Sequence, residues 1–293
     1  MTRFPGVYVA VITPFTASDE VNYPRLREHI AWLLSSGIHG LIPTGSCGEY
    51  ASLSDQERAK VVETIVEVTA GRVPIIVGTA APSTKRAVYW ANHAKEVGAT
   101  GLMALPPINY RPTKREVVAY YEALAQVNLP IIVYNNPFDT STDLKPDFLA
   151  ELSQIEQIVG VKEFSGDVRR IPEILEKTSL EVFAGADDLV LEGLLAGATG
   201  WIAGLTNATP QESVALYDLV VAGKFAEATR LYRLLLPLFR YDSLPILVQT
   251  IKYCLELAGM PAGKTRPPRL DLEEAVRQHI EIAYHSIQAG LQQ

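Results

Sequence analysis

Along the first two thirds of the chain, short apolar runs rich in β-branched residues alternate with longer stretches whose apolar positions recur at helical spacing. The runs fall at 7–12, 40–43, 74–78, 101–105, 131–135, 158–163, 180–184 and 200–203. Eight strands at a spacing of roughly 30 residues or less predict a (β/α)8 barrel. Several runs are apolar on both faces, as a parallel sheet covered by helices requires. A doubly wound open sheet is the alternative that this alternation leaves open. Ser54 with Glu57, Thr113 with Glu116, and Thr209 with Pro210 and Glu212 have the form of helix-opening caps. Gly37, Gly71, Gly98 and Gly197 stand where helices should stop before the next strand. After Gly223 the pattern changes to helical segments at 225–236, 243–258 and 272–291 with no strand between them. The expected organisation is a barrel over 1–223 and a helical C-terminal region over 224–293, joined through a loop at 259–268.

Composition narrows the class. Of 293 residues, 48% are hydrophobic and 20% charged, which describes an ordinary globular protein with a core that needs no staples. The formal charge of −7, with no long Lys/Arg cluster, argues against nucleic acid or an anionic membrane as partner. Two cysteines, Cys47 and Cys254, provide neither a disulfide framework nor a CxxC pair and point to a reducing compartment. The N-terminal apolar run, bracketed by Pro5, Gly6 and Pro14, reads as a strand and not as a signal peptide. A cytoplasmic protein without a membrane span is expected.

In such a barrel the reactive groups come from the C-terminal ends of the strands. The sixth run, IVGVKEF at 158–164, carries one lysine near its far end, Lys162, set among Ile, Val and Phe. Burial disfavours an ammonium and lowers its pKa, and a neutral amine is a nucleophile towards ketones. A lysine that ends a strand and reaches into water is the ordinary alternative. Strand alternation places Ile158, Gly160 and Lys162 on one face. The fifth run offers Tyr134 at the matching position, roughly 5 Å away across the sheet. An amine and a phenol so placed could form a carbinolamine and then an iminium, with the phenol moving protons; a core tyrosine with a satisfied hydroxyl is the plainer reading. The loop GSCGE, with Gly45, Ser46 and Cys47, supplies closely spaced N–H groups able to cradle a carboxylate. The five histidines fall away from the barrel mouth, so no metal site and no cofactor are expected. Asp187 and Asp188 read as caps of the following helix.

VITPF (11–15), GSCGE (45–49), YNNP (134–137), VKEFSGD (161–167), GADD (185–188) and GWIAGLTN (200–207) occur in an order and spacing that resembles the dihydrodipicolinate synthase and N-acetylneuraminate lyase family of pyruvate-type class I aldolases. The resemblance covers essentially the whole chain. It implies a TIM barrel with a C-terminal helical extension, commonly a tetramer of two tight dimers, and a small 2-oxo acid as substrate. Carried over by motif, Lys162 is the Schiff-base lysine, Tyr134 the proton-transfer tyrosine, Ser46 and Cys47 the holders of the keto-acid carboxylate with Ser46 also in a proton relay, and Ile202 a backbone contributor to the same site.

Three positions depart from the biosynthetic synthase. Asp139 stands where that enzyme has an arginine for its semialdehyde's carboxylate, Asn109 where it has a tyrosine that crosses a subunit interface, with Tyr110 adjacent, and Cys47 replaces a hydroxyl residue. These departures lead to the expectation of a catabolic aldolase, dehydratase or deaminase acting on a keto-deoxy sugar acid or hydroxypyrroline carboxylate. The alternatives are 4-hydroxy-tetrahydrodipicolinate synthase itself and a non-catalytic relative that binds a keto acid.

Overall fold

The computed structural model describes residues 4–291. All eight expected runs form strands: β1 (Gly6–Ala10), β2 (Gly40–Ile42), β3 (Ile76–Gly78), β4 (Gly101–Ala104), β5 (Ile131–Asn135), β6 (Ile158–Glu163), β7 (Glu181–Ala184) and β8 (Gly200–Ala203). Each pairs in parallel with its neighbours in the order β2-β1-β8-β7-β6-β5-β4-β3, and a parallel bridge between Leu41 and Ile75 brings the two ends together. The closure excludes the doubly wound sheet, which would keep two open edges. The protein is a (β/α)8 TIM barrel with a helical C-terminal extension.

Register shows which side chains fill the barrel. Tyr134 pairs with Lys162, Lys162 with Phe183, Phe183 with Gly200, and Tyr8 with Ile202, so these side chains share the inner face. Tyr8, Ile42, Ile76, Met103, Ile132, Phe183 and Ile202 pack there as one cluster. Glycine flanks Phe183 for a steric reason: a Cβ at Gly160 would lie 3.1 Å from its ring, and one at Gly200 2.9 Å. Outward-facing Val9, Leu41, Val77, Leu102, Val133, Val161 and Val182 pack under the surrounding helices.

One part of the expected alternation fails. Ile131 pairs with Ile158 but Ile132 pairs with Gly160, so Val159 is an extra residue in β6. Ile158 therefore belongs to the outer core and Val159 packs against the inner cluster. Gly160 and Lys162 keep the inner face; Ile158 does not share it.

Helix boundaries follow the local chemistry closely. Ser54 and Thr113 each form the full capping box, opening helices Asp55–Thr69 and Lys114–Ala125. Thr209 does not cap: its hydroxyl donates back to the Leu205 carbonyl at 3.2 Å, and helix Pro210–Val221 starts without a side-chain cap. Gly37, Gly71, Gly98 and Gly197 all have positive φ, the left-handed geometry that ends helices.

Helices Phe225–Phe239, Leu247–Leu257 and Glu274–Leu291 form the C-terminal region. Tyr232, Leu235, Phe239, Ile251 and Tyr284 share one buried core with Val7, Ile12, Trp201 and Leu205 of the barrel. The loop expected as a joint is pinned down. Phe15 N–H donates to the Ala262 carbonyl at 2.9 Å, and Arg266 donates to both carboxylate oxygens of Glu57 and to the carbonyls of Ser52 and Asp19. Among the described residues, no helix is long and apolar enough to cross a membrane.

Candidate active site

Lys162 stands one residue before the end of β6 with its side chain on the inner face of the barrel, only 6% exposed. Its Nζ lies 4.5 Å from the centre of the Tyr134 ring and 5.5 Å from that of Phe164. The solvated strand-end reading is thereby removed. The expectation of a lowered pKa is also overturned. Burial does push the ammonium down and is the largest influence, but the charges of Tyr134, Asp242, Cys47 and Asp187 outweigh it and leave Lys162 above the ordinary lysine value. Two of those groups are neutral near pH 7, because burial raises the Tyr134 phenol and pushes the Cys47 thiol up to about 12.

Tyr134 is buried on β5 in register with Lys162, as alternation required. Its hydroxyl accepts a hydrogen bond from Asn136 Nδ2 at 3.2 Å, and the same amide donates to Asp139 Oδ2 at 2.8 Å. Asp139 is thus linked to the phenol through one side chain.

The GSCGE loop follows β2 in a tight path. Thr44 and Glu49 both take positive φ, and a Cβ at Gly48 would lie 2.9 Å from the Val11 carbonyl oxygen. Thr13 Oγ1 donates to the Gly48 carbonyl at 2.7 Å, which ties the loop to the segment after β1. Gly45 and Cys47 are buried, and Ser46 is half-buried. Glu49 turns away from the mouth into a buried ion pair with Lys252 at 2.8 Å.

A cavity of about 420 Å³ is lined by Ser46, Tyr50, Leu105, Ile108, Asn109, Tyr110, Arg111, Asp139, Thr140 and Ser141. It brings the expected Ser46, Asn109, Tyr110 and Asp139 together. Asn109 adopts φ 76° and Tyr110 is exposed, so the adjacent pair presents its side chains differently. Ile202 sits on β8 with its side chain buried among the inner cluster, leaving its backbone as the group it can offer.

Several site residues were not singled out from the chain. Arg111 and Tyr50 line the cavity; a basic residue after PPINY was the available signal for the first. Asp187 is not a helix cap. Its carboxylate accepts from Trp201 Nε1 at 2.8 Å, Gly204 N–H at 3.1 Å and Leu205 N–H at 2.7 Å. Asp188 meets the Ser243 hydroxyl at 3.4 Å and caps no helix with its side chain either. Asp242 arrives from beyond helix Phe225–Phe239 and accepts the Asp187 N–H at 2.9 Å; nothing in the local sequence marks it.

A buried lysine and tyrosine side by side at strand ends, with Tyr134 linked through Asn136 to the cavity-lining Asp139, define an enzyme of the class I aldolase and lyase kind. The chain belongs to the dihydrodipicolinate synthetase family, whose model matches residues 3–286. It is 38% identical over 286 residues to the 4-hydroxy-tetrahydrodipicolinate synthase of Methanospirillum hungatei, covering 95% of this chain and 96% of that one. It is 35% identical over 281 residues to an uncharacterized DapA-like lyase of Rhizobium meliloti, covering 94% and 93%. Among solved structures, the dihydrodipicolinate synthase of Acinetobacter baumannii, chloride-inhibited and complexed with pyruvate, matches with a TM-score of 0.92 at 30% identity over 97% of this chain and 99% of that chain.

Proposed function

We propose that the chain forms a Schiff base between Lys162 and pyruvate or a close 2-oxo acid, and that it condenses this adduct with aspartate semialdehyde as a 4-hydroxy-tetrahydrodipicolinate synthase. The observation that carries the first half is Lys162 and Tyr134 in direct register at the mouth. The lysine nitrogen adds to the ketone, water leaves, and the iminium withdraws electrons so that a carbon–hydrogen bond at the next carbon can break. Tyr134 moves the protons, and the N–H groups of the Ser46–Cys47 turn hold the carboxylate. The second half is supported by the names of the relatives and by Arg111, a cation lining the cavity where a second carboxylate would sit.

A second reading is favoured by Asp139. Its carboxylate lines the same cavity and repels a second carboxylate while accepting hydroxyl or amine donors. On that reading the substrate is a keto-deoxy sugar acid or hydroxypyrroline carboxylate, and the bond broken is C–C, C–O or C–N. The deciding experiment incubates the enzyme with pyruvate and borohydride, weighs the adduct, and then assays turnover of pyruvate with aspartate semialdehyde beside a panel of the other acids. An adduct lost in Lys162→Ala and rapid condensation support the first reading. Turnover confined to the panel moves the assignment to the second, and no adduct with any 2-oxo acid removes both. The same reading takes the chain as a homo-oligomer, dimer or tetramer, which light scattering tests directly.

A further inference from the structure

Asn136, the residue after β5, is buried, and both polar atoms of its side chain are engaged. Its Oδ1 accepts the Asp139 N–H at 3.2 Å, and its Nδ2 donates to Asp139 Oδ2 at 2.8 Å and to the Tyr134 hydroxyl at 3.2 Å. The backbone fixes it too: its carbonyl accepts the Thr140 N–H at 3.1 Å and the Thr140 hydroxyl at 2.7 Å. This bonding decides which way round the amide sits. A backbone N–H can only donate, so the amide oxygen must face Asp139 N; an ionised carboxylate can only accept, so the amide nitrogen must face Asp139 Oδ2. Asp139 thus orients the amide from both sides.

The orientation of the amide decides that of the phenol. Tyr134 Oη takes an N–H from Asn136 and can only be the acceptor there, so its own proton points elsewhere. A phenol O–H lies close to the plane of its ring, with one position on either side of the C–O bond. The Asn136 N–H takes one side, and the phenol proton is left with the other. The ring that carries it has Lys162 Nζ 4.5 Å from its centre, in a strand register that pairs the two residues directly. A second effect acts once the proton is gone. An N–H aimed at an oxygen binds phenolate more strongly than phenol, and so opposes the burial that raises Tyr134. The charge of Asp139 pulls the other way, since it is among those that raise the phenol. What Asp139 contributes is the fixed direction of the amide.

We propose that Asn136, held by Asp139, is the positioning residue of the Tyr134 proton relay: it turns the phenol proton to the reacting side and supports the phenolate left when that proton is given up. The inference rests on the Schiff-base reading of Lys162. In that reaction Lys162, as the free amine, adds to the ketone and forms a carbinolamine, one proton moving from the nitrogen to the new alkoxide. The phenol proton passes to the carbinolamine hydroxyl, the carbon–oxygen bond breaks, and water leaves with the iminium on Lys162. The phenolate then takes a proton from the carbon next to the iminium carbon, which gives the enamine and restores the phenol. Amine and ketone have become enamine and water, with no charge left over. Asn136 acts on these steps through the tyrosine oxygen, not by contact with the reacting atoms.

The test uses Asn136→Ser in the full-length protein. A serine hydroxyl still accepts the Asp139 N–H as a cap but is too short to reach the phenol. The readouts are the rate of adduct formation with pyruvate, from borohydride trapping of timed samples, the pyruvate concentration that gives half-maximal adduct, and the thermal midpoint. The rate should fall about 10- to 100-fold, the loss of one hydrogen bond to a charged oxygen, while the half-maximal concentration changes less than about threefold. Introduced into Tyr134→Phe, the same substitution should change the rate less than about twofold, because the oxygen through which Asn136 acts is gone. A further slowing in Tyr134→Phe as large as that in the wild type overturns the proposal, since it marks a structural role independent of the hydroxyl. So does an undiminished rate in a folded Asn136→Ser protein. If the serine variant does not fold, Asn136→Asp, which keeps the shape and the cap and loses both amide donors, is read in the same two backgrounds against the same expectations. Absence of any wild-type adduct is a different failure, that of the Schiff-base reading itself, and the proposal falls with it.

Discussion

Replacing Lys252 by methionine should destabilise the protein strongly, and the size follows from what is left behind. Lys252 Nζ sits 2.8 Å from Glu49 Oε1, donates to the Lys264 carbonyl at 2.9 Å and lies 4.2 Å from the centre of the Phe15 ring. The two side chains are 3% and 0% exposed. Methionine preserves most of the packing of the stem but leaves the Glu49 carboxylate buried with the Arg266 N–H at 3.0 Å and Arg269 at 3.8 Å as its remaining support. Breaking one partner of such a pair costs about 3–5 kcal/mol, while replacing both by neutral groups is nearly without cost. Urea denaturation should therefore show about that loss in Lys252→Met and recovery of most of it in Glu49→Gln/Lys252→Met. The pair also has a pH signature. Burial, the largest influence, lowers Lys252 from 10.5 to about 8 despite the attraction of Glu49. The unfolded chain then holds this proton more tightly, so stability rises with pH from about 8 to 10.5. At about 1.4 kcal/mol per pH unit the gain is about 3 kcal/mol; it should be missing from Lys252→Met and therefore appear as a pH-dependent difference between wild type and that variant. Because Glu49 closes the GSCGE loop, the single variant should also raise KM for the 2-oxo acid more than it lowers kcat. A loss below about 1 kcal/mol in Lys252→Met would refute the reasoning, since it would mean that the Glu49 charge is relieved by some other route.

Three further outcomes follow from single contacts. Tyr134→Phe removes a hydroxyl that holds one hydrogen bond, so thermal stability should change little while the rate of adduct formation, followed by quenched trapping, falls about 10²- to 10⁴-fold. Gly160→Ala places a Cβ 2.8 Å from the Glu181 carbonyl oxygen and 3.1 Å from the Phe183 ring, directly below Lys162; a cost of about 1–3 kcal/mol in denaturation and a loss of activity are expected. Arg266 holds the Glu57 carboxyl down from 4.5 to about 2, so its stabilisation is complete above about pH 4.5 and is lost as pH falls through about 2. With solvent screening at this partly exposed pair it amounts to about 1 kcal/mol, and Glu57→Gln should flatten that part of the acid denaturation curve.

The barrel was legible because each strand run carried its own boundary chemistry. Gly37, Gly71 and Gly98 end helices through a backbone conformation that only local sequence has to permit, and Ser54 and Thr113 cap through contacts three residues long. The register of Lys162 with Tyr134 was legible for a related reason. Each stands near the end of a strand, and neighbouring parallel strands in a barrel bring their ends to one rim. The bulge at Val159 was not legible, because it depends on how β5 and β6 pair and not on either strand alone. Thr209 shows the same limit in a helix cap: the Leu205 carbonyl competes for its hydroxyl, and that competitor is set by the turn after β8.

The protonation state of Lys162 was the largest error, and its cause is informative. Burial was read correctly from the apolar run, and by itself burial favours the neutral amine. What reverses the sign is the sum of Tyr134, Asp242, Cys47 and Asp187, in that order, none of them a neighbour along the strand; Asp187 and Asp242 lie 25 and 80 residues further along the chain. A lysine's neighbours along the strand predict its desolvation; its charge is decided by side chains that only the closed barrel and its C-terminal cover bring near. For this site the consequence is mechanistic. On the proposed Schiff-base reading, a nucleophile that rests as an ammonium must shed a proton before it attacks, so the speed of adduct formation would depend on where that proton goes, and Tyr134, whose ring lies beside the nitrogen, is the residue on which the rate would turn.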